Sequence, residues 1–144
     1  MSITAILNRK GTAVTTIDAD ARISEAASVL VRDGIGALVV VDDERVAGIL
    51  SERDIVHRLA QDGASCLDLT VGEVMVRDVT TCPPDAAIND VMATMTHHRI
   101  RHLPVVDDDR LVGIVSIGDV VKHRIDELET ESESLQDYVL GRGY

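Results

Sequence analysis

The sequence repeats itself, and this repeat constrains the fold more than any other feature of the chain. When the sequence is shifted by 65 positions, residues 14–56 align with residues 79–121 without a gap, and 18 of the 43 aligned pairs are identical. Several of the other pairs exchange one aliphatic residue for another. An internal repeat of this length indicates two copies of one supersecondary unit.

Both copies have the same predicted order of elements, β-α-β-β-α. In the first copy, a short extended segment at residues 14–16 precedes a helical pattern of apolar residues (Ile23, Ala26, Ala27, Leu30 and Val31) that ends at Gly34. Two β-branched runs, LVVV and RVAGIL, follow, and the acidic residues between them predict a hairpin. A second helix begins after Ser51, and the corresponding helix of the second copy begins after Ser116.

The two copies are expected to pack against each other. A unit of about 60 residues buries too little surface to be robust alone, so we expect a face-to-face, pseudo-twofold pair with one shared core. The expected fold class is α+β (mixed helix and strand), with repeat 1 at residues 1–65 and repeat 2 at residues 66–129. Residues 61–70 are the expected linker.

Residues 130–144 lie outside the repeat and form a C-terminal tail. Ser134 is a candidate N-cap and Gly141 a candidate end for a short helix in this tail. A helix this short is unstable alone in water, so the tail either docks, across a dimer interface, or frays.

Composition excludes several classes of partner. The formal net charge is −11, and the only aromatic residues are Tyr138 and Tyr144, which disfavours nucleic acid as a partner. The longest uninterrupted apolar run, residues 37–41, is far shorter than the roughly 20 residues of a membrane helix. The N-terminus lacks the zones of a signal peptide, and Cys66 and Cys82 form no CxxC motif. We therefore expect a cytoplasmic protein with neither a nucleic-acid nor a membrane partner.

Each repeat ends in the pattern Ser-x-x-Asp, first in GILSERD and then in GIVSIGD. One interpretation is a capping box, in which the serine accepts a hydrogen bond from the N3 amide and the aspartate accepts one from the serine amide. The other is a ligand site, because a helix N-terminus favours anions and a carboxylate has two acceptor oxygens that suit a vicinal diol. The two roles are compatible.

The order of these motifs resembles the CBS (cystathionine-β-synthase) domain. The resemblance is carried by V-x-T at the start of each repeat, LPVVD in the middle of the second, and G-I-V-S-x-x-D at its end. The segment TVGEVM is similar to the usual lead-in of a CBS repeat, and its counterpart TAILNRKG is shifted by about three residues. The match extends from about Ile6 to Glu127, and two such domains form a Bateman module.

This resemblance implies a regulatory module that senses energy or redox state and binds AMP, ADP, ATP, NAD(H) or S-adenosylmethionine between the repeats, signalling by conformational change. It implies no catalytic cofactor and no enzyme activity, with an adenine nucleotide as regulatory ligand. It further implies a homodimer and an unidentified protein target. An aliphatic pocket can hold adenine through dispersion contacts.

The resemblance also implies roles for individual residues. Asp54 and Asp119 would bind the ribose diol, and Ser51 and Ser116 would approach the phosphates. The other implied ligand-binding positions are Thr16 and Thr81 beside the adenine, Ile35, Gly36, Ile100 and Arg101 on the strands that line the base, and Pro104 of the LPVV run.

A basic cluster, HHRIRH, distinguishes the second repeat from the first. Arg101 and His102 match positions where the family often binds phosphate, whereas the first repeat has Gly36 and Ala37 there. The other basic residues that could join this cluster are Arg53, His57, Arg58, Lys122, His123 and Arg124. The asymmetry predicts two inequivalent sites, although each of these side chains would also be ordinary on a solvated helix face.

Other functions fit the sequence less well. His98 and His102 have a metal-ligand spacing only within one helix, and a strand is predicted to begin between them. The acidic runs at the hairpin turns lack the spacing of a calcium loop. The only groups near Ser51 and Ser116 that could act as bases are carboxylates already assigned to capping or to the ribose, and no glycine-rich phosphate loop is present. The serious alternative is a ligand-free dimerisation or protein-interaction module.

Overall fold

The structure, a computed structural model, describes residues 2–141 of the chain. Within these residues the helices are α1 (Ile3–Lys10), α2 (Ile23–Asp33), α3 (Glu52–Asp62), α4 (Val71–Val74), α5 (Ile88–His98) and α6 (Ile117–Val139). The strands are β1 (Thr16–Ile17), β2 (Ala37–Asp42), β3 (Arg45–Ser51), β4 (His102–Asp107) and β5 (Arg110–Ser116).

The predicted β-α-β-β-α order and the mixed α+β class are confirmed. In the first repeat β1 lies parallel to β2, and β2 pairs antiparallel with β3. In the second repeat β4 and β5 form the same antiparallel hairpin, and the first strand is reduced to a parallel bridge between Cys82 and Val105. The two hairpins have the same register, since Ala37 pairs with Ser51 and His102 pairs with Ser116.

The acidic segments form hairpin turns, as predicted, and the turns have the same geometry in both repeats. Both central residues of each turn have positive φ, 54° and 69° at Asp43 and Glu44, and 49° and 63° at Asp108 and Asp109. Two such residues in succession match the twist of the flanking strands. Aspartate tolerates this conformation better than most residues do, because its short side chain bonds locally.

Helices α2 and α5, each the first helix of a β-α-β-β-α unit, bury the apolar faces that their spacing predicts. Ile23, Ala26 and Leu30 of α2 are buried, as are the matching residues of α5, Ile88, Val91 and Met95. Val31 was expected on the same face but is 83% exposed, because the face of α2 that packs on the sheet is narrower than the predicted apolar face. Gly34 ends α2 in the left-handed conformation, and Arg99 ends α5 in the same way.

The lead-in segments are exchanged between the repeats, so the prediction of one shared core was wrong. Ile3, Ile6 and Leu7 of α1 are buried with residues of the second repeat such as Leu103 and Val115. In the same way, Val71 and Met75, which precede the second repeat in sequence, are buried with Leu38, Val40 and Leu50 of the first. The molecule therefore has two apolar clusters, and each contains a segment from the other side of the expected boundary at residue 65.

Two glycines allow the exchanged segments to cross the sheets. A Cβ atom at Gly113 would lie 2.8 Å from Cδ2 of Leu7, and one at Gly48 would lie 2.9 Å from the carbonyl oxygen of Val76. Both distances are shorter than packed atoms tolerate. The glycine of the G-I-x-S motif thus makes room for the crossing segment in each repeat.

The expected linker at residues 61–70 is folded. Residues Gly63–Asp68 form a 3-10 helix, and the side chain of Cys66 within it is fully buried. Leu67 and Leu69 pack against the apolar cluster of the first repeat. The connection is therefore a fixed part of the first cluster.

The last helix is longer than the sequence pattern predicts. Helix α6 continues without a break from Ile117 to Val139, so Ser134 lies inside it and does not cap a separate helix. Gly141 follows the helix with a φ of 72°, and Tyr144 lies outside the described residues. Within residues 2–141, no helix combines the length and apolar character needed to cross a bilayer.

Candidate functional site

Both serine–aspartate pairs form capping boxes where a strand passes directly into a helix. In the first repeat, the Ser51 amide donates to Oδ2 of Asp54 over 2.8 Å, and the Asp54 amide donates to Oγ of Ser51 over 3.2 Å. In the second, the matching distances for Ser116 and Asp119 are 2.9 Å and 3.1 Å. The capping interpretation of the motif is confirmed.

Capping leaves part of each carboxylate available. Within the described residues, the hydrogen bonds of Asp54 converge on Oδ2, from the amide and the hydroxyl of Ser51. Its Oδ1 accepts no hydrogen bond from residues 2–141, and Asp54 lies on the wall of a cleft. An acceptor oxygen fixed in this way is suited to a hydroxyl donor.

The first cleft, defined here as the one that contains Asp54, has a volume of about 280 Å³. It lies between the repeats, because β3 and the start of α3 form one side and the loop and strand starts of the second repeat form the other. The residues that line it are Gly36, Ala37, Ile49, Ser51, Glu52, Arg53, Asp54, Val76, Asp78, Val79, Thr80, Arg99, Ile100, Arg101 and His102.

The second cleft, defined as the one that contains Asp119, has a volume of about 390 Å³ and is related to the first by the sequence repeat. Shifting its residues by 65 positions maps Val14 onto Val79, Ile114 onto Ile49 and Ser116 onto Ser51, all of which line the first cleft. The remaining residues that line it are Lys10, Ala13, Thr15, Gly34, Ile35, Gly36, Ala37, His102 and Asp119. The pseudo-twofold relation therefore holds at the level of the clefts.

The two clefts differ in charge. Three arginines, Arg53, Arg99 and Arg101, line the first cleft. In the second cleft the positions that match them are Gly118, Gly34 and Gly36, none of which carries a charge. The basic character expected from HHRIRH is thus concentrated in the first cleft.

Lys10 supplies the second cleft with a cation of its own. Its Nζ donates to Oδ2 of Asp119 over 2.7 Å and to the carbonyl oxygen of Ile114 over 2.9 Å. Burial acts to raise the pKa of Asp119, but the hydrogen bonds from Lys10 and Ser116 outweigh it and leave that pKa below its ordinary value. Helix α1, which packs on the second repeat, thus ends with a lysine that pairs with Asp119, the residue that matches Asp54.

His102 lies at the junction of the two clefts and lines both. Its ring is half-buried, and burial together with the neighbouring Arg101 lowers its pKa in spite of nearby carboxylates. A Cβ atom at Gly36 would lie 3.3 Å from the ring, so glycine at this position leaves the imidazole its space. His102 is therefore neutral at pH 7 and borders both clefts.

Most of the candidate residues meet in the clefts, but four of them do not. Thr16 lines a separate surface groove with Val41 and Leu111, and Thr81 lines neither cleft. Pro104 is buried in β4, where its carbonyl accepts from the amide of Cys82. Lys122 lies beside Arg9 and His123, in a pocket next to the second cleft. The other ten ligand-binding candidates line one cleft or both, whereas the further basic residues His57, Arg58, His123 and Arg124 line neither.

Sequence reasoning missed the threonines that do line the clefts, Thr15 and Thr80. Successive residues of an extended segment point to opposite sides, so a shift of one residue selects the wrong face. The strand that begins at Thr16 shows the alternation, but its two residues are too few to reveal it in sequence. Lys10 was also missed, because its position depends on the helix exchange.

The spacing of His98 and His102 does not lie within one helix. Helix α5 ends at His98, Arg99 follows in the left-handed conformation, and His102 begins β4. In the part of the chain from residue 2 to residue 141, no three His, Cys, Asp or Glu side chains are grouped closely enough to hold a metal ion.

Comparison with known proteins gives a family match over most of the chain. The model of the CBS domain matches residues 9–61 and again residues 71–126. A curated relative, the CBS domain-containing protein CBSX3 (mitochondrial) of Arabidopsis thaliana, is 35% identical over 130 residues. The match covers 87% of this chain and 63% of that protein.

Solved structures agree with this match. The CBS-domain containing protein ATU1752 of Agrobacterium tumefaciens superposes with a TM-score of 0.84 at 43% identity, covering 86% of this chain and 99% of that one. The CBS domain pair of protein MJ0100, in complex with 5-methylthioadenosine and S-adenosyl-L-methionine, superposes with a TM-score of 0.79 at 31% identity. That match covers 88% of this chain and 98% of the other.

Proposed function

Because this chain belongs to the CBS domain family, we propose that it is a regulatory module that binds adenosine-containing ligands in the clefts between its two repeats. The observation that carries the proposal is Asp54 in the first cleft, a carboxylate fixed at a helix start with one oxygen facing no donor of the described residues. The complex of the relative MJ0100 with two adenosine derivatives supports the ligand class.

We assign the parts of the ligand by chemistry. Asp54 accepts the hydroxyls of the ribose, since a carboxylate can accept two hydrogen bonds. The apolar side chains of Val79 and Ile100 offer an aliphatic surface for the flat adenine. Arg101 and Arg53 bind phosphate, because a guanidinium presents several donors in a fixed plane. AMP, ADP, ATP and NAD(H) fit this description in full. S-adenosylmethionine has no phosphate, and its methionine carboxylate would be the anion that meets the arginines.

We assign no catalytic activity to the module. The hydroxyl of Ser51 donates to Asp54 over 2.9 Å, and that carboxylate is already held by the Ser51 amide. A carboxylate oxygen that already accepts two hydrogen bonds is a weak base, so we do not assign to Asp54 the activation of the Ser51 hydroxyl as a nucleophile. We propose instead that the ligand changes the relative position of the repeats and so signals to a protein target.

A homodimer is part of the proposal. Val56 and Leu59 of α3 and Val121 and Ile125 of α6 are apolar, yet between 44% and 61% of each is exposed. Ile55 is the one buried residue of α3. Apolar helix faces of this kind mark a contact with another molecule, and the same observation favours the second candidate function, a ligand-free interaction module.

The charge of the ligand tests the assignment. Replacing Arg101 by alanine should weaken AMP by about 10- to 150-fold, the cost of a hydrogen bond to a charged group, and leave adenosine nearly unchanged. Arg110→Ala is the matched control, because Arg110 is exposed on a hairpin turn outside the clefts. Equal losses for AMP and adenosine would place Arg101 at the base, and no binding by the unmodified protein would favour the interaction module.

A further inference from the structure

The C-terminal half of α6 extends away from the rest of the molecule. The helix has 23 residues, and all of its side chains from Leu128 onward are exposed. Residues 128–139 contain four acidic residues and no lysine or arginine, so no internal ion pair supports this part. An acidic helix end also opposes the helix dipole. A projecting helix of this composition is marginal in water without a partner.

One face of α6 carries a heptad pattern that runs through its whole exposed length. The residues of this seam are Val121, Ile125, Leu128, Ser132, Leu135 and Val139, spaced four and three residues apart in alternation. The five apolar members are 44% to 77% exposed. A strict spacing of this kind keeps one face against a partner helix and is typical of a coiled coil.

The residue types at the seam indicate two parallel strands. If Leu128 and Leu135 occupy d positions, Ile125 and Val139 occupy a positions, and Val121, at the start of the seam, is the one d residue that is not leucine. β-Branched residues at a with leucine at d favour parallel dimers. Ser132 is the one polar residue at an a position, where a polar side chain fixes the register.

The flanking charges also favour the parallel arrangement. In a parallel coiled coil, Arg124 at position g would face Glu129 of the partner subunit at position e, which is an attractive pair. Glu131, at the next g position, would face the neutral Gln136 of the partner subunit. An antiparallel arrangement that uses the same six seam positions would instead place Glu129 and Glu131 each against its own copy in the partner. Like charges at these positions are unfavourable, so the parallel pairing is preferred.

We propose that the α6 helices of two copies form a parallel, two-stranded coiled coil along the seam from Val121 to Val139. The inference rests on the proposed homodimer and names its contact and orientation. Because α6 begins at Ile117, directly after Ser116 in the second cleft, the coil connects that cleft directly to the dimer contact. The occupant of the seam is thus a second copy of this chain.

Oligomeric state and directed crosslinking of the full chain test the proposal together. Leu135→Glu should weaken the dimer by about 100-fold or more in sedimentation, because it places a charge at a buried layer in both copies. Leu140→Glu is the matched control, since Leu140 follows the helix and lies off the seam; it should leave the dimer intact. Ser132→Cys should form an interchain disulfide on mild oxidation, whereas Ser134→Cys, on the outer face, should not.

The outcomes are distinguishable. A monomeric unmodified protein would overturn both the homodimer and the coiled coil. An unmodified dimer that Leu135→Glu leaves unchanged would overturn the coiled coil alone and place the dimer contact elsewhere. Crosslinking of Leu128→Cys to Ser132→Cys in a mixed sample, without crosslinking of Ser132→Cys to itself, would overturn the parallel orientation. The native Cys66 and Cys82 are buried and do not interfere.

Discussion

Nζ of Lys10 lies 2.7 Å from Oδ2 of Asp119, whereas Asp54, the matching aspartate of the first repeat, is bonded among the described residues only by Ser51. Lys10 reaches this carboxylate because α1 packs on the second repeat rather than on its own. The two clefts therefore share their shape but not their charge. Among the described residues Oδ1 of each aspartate accepts no hydrogen bond, but a ribose would meet a carboxylate without a cationic partner in the first cleft and an ion-paired carboxylate in the second.

The first prediction concerns this ion pair. Lys10→Ala should tighten adenosine at the second cleft by about tenfold, because a carboxylate without an ion-pair partner is a stronger acceptor for the ribose hydroxyls. Calorimetric titration should then show the weaker of two adenosine sites per chain tightened by about tenfold. Equal affinities in Lys10→Ala and in the unmodified protein would show that Lys10 does not weaken the second site.

The second prediction separates capping from binding. Asp54→Ala removes both a capping box and the proposed ribose acceptor, so it should cost about 1 kcal/mol of stability and weaken AMP by about 10- to 150-fold. Glu73→Ala is a matched control, because Glu73 closes a capping box with Thr70 at α4, away from both clefts. It should cost similar stability without any change in AMP binding.

If Asp54→Ala and Glu73→Ala behave alike, with lower melting temperatures and unchanged AMP affinity, the serine–aspartate motif is structural only. Melting curves and titrations on the same samples supply both quantities.

The third prediction concerns pH. Burial lowers the pKa of His102 from its ordinary 6.5, so the folded state binds its proton less readily than the unfolded chain does. The stability linked to this histidine is therefore complete above pH 6.5 and is lost as the pH falls from 6.5 through the lowered pKa. His102→Asn should reduce the drop in melting temperature between pH 7.5 and pH 5. An identical drop in both proteins would contradict the assignment, and the difference between them cancels the other four histidines.

The fourth prediction tests the helix exchange. Gly113→Ala places a Cβ 2.8 Å from Leu7 and should destabilise the protein by about 1–3 kcal/mol through overpacking against α1. Gly118→Ala adds the same methyl group in the first turn of α6, where the nearest atom is 3.6 Å away, and should be neutral or stabilising. Chemical denaturation that gave the two variants equal stabilities would show that α1 does not cross the sheet at Gly113.

The repeat made much of this structure predictable. The order of elements, both hairpins and both capping boxes follow from local spacing and residue type, which act over a few residues. Membership of the family also follows, because the same motifs recur in the same order. The cleft wall was partly predictable, since Ser51 and Asp54 had to lie together at a helix start.

The remaining features depend on long-range packing. Nothing near Lys10 in sequence indicates that α1 crosses to the second repeat, so its pairing with Asp119 could not be inferred. The break expected at Ser134 was wrong because serine is a common cap but also tolerable inside a helix. Thr15 and Thr80 were missed because a two-residue strand gives too little alternation to fix which side chain faces the cleft.

The most direct test of the account is a calorimetric titration of the unmodified full chain with AMP, ATP and S-adenosylmethionine at pH 7. We predict saturable binding of at least one of them, with the tight site lost in Asp54→Ala and retained in Glu73→Ala. Absence of saturable binding by all three, in a protein whose melting curve shows it to be folded, would contradict the proposal that the clefts bind adenosine-containing ligands.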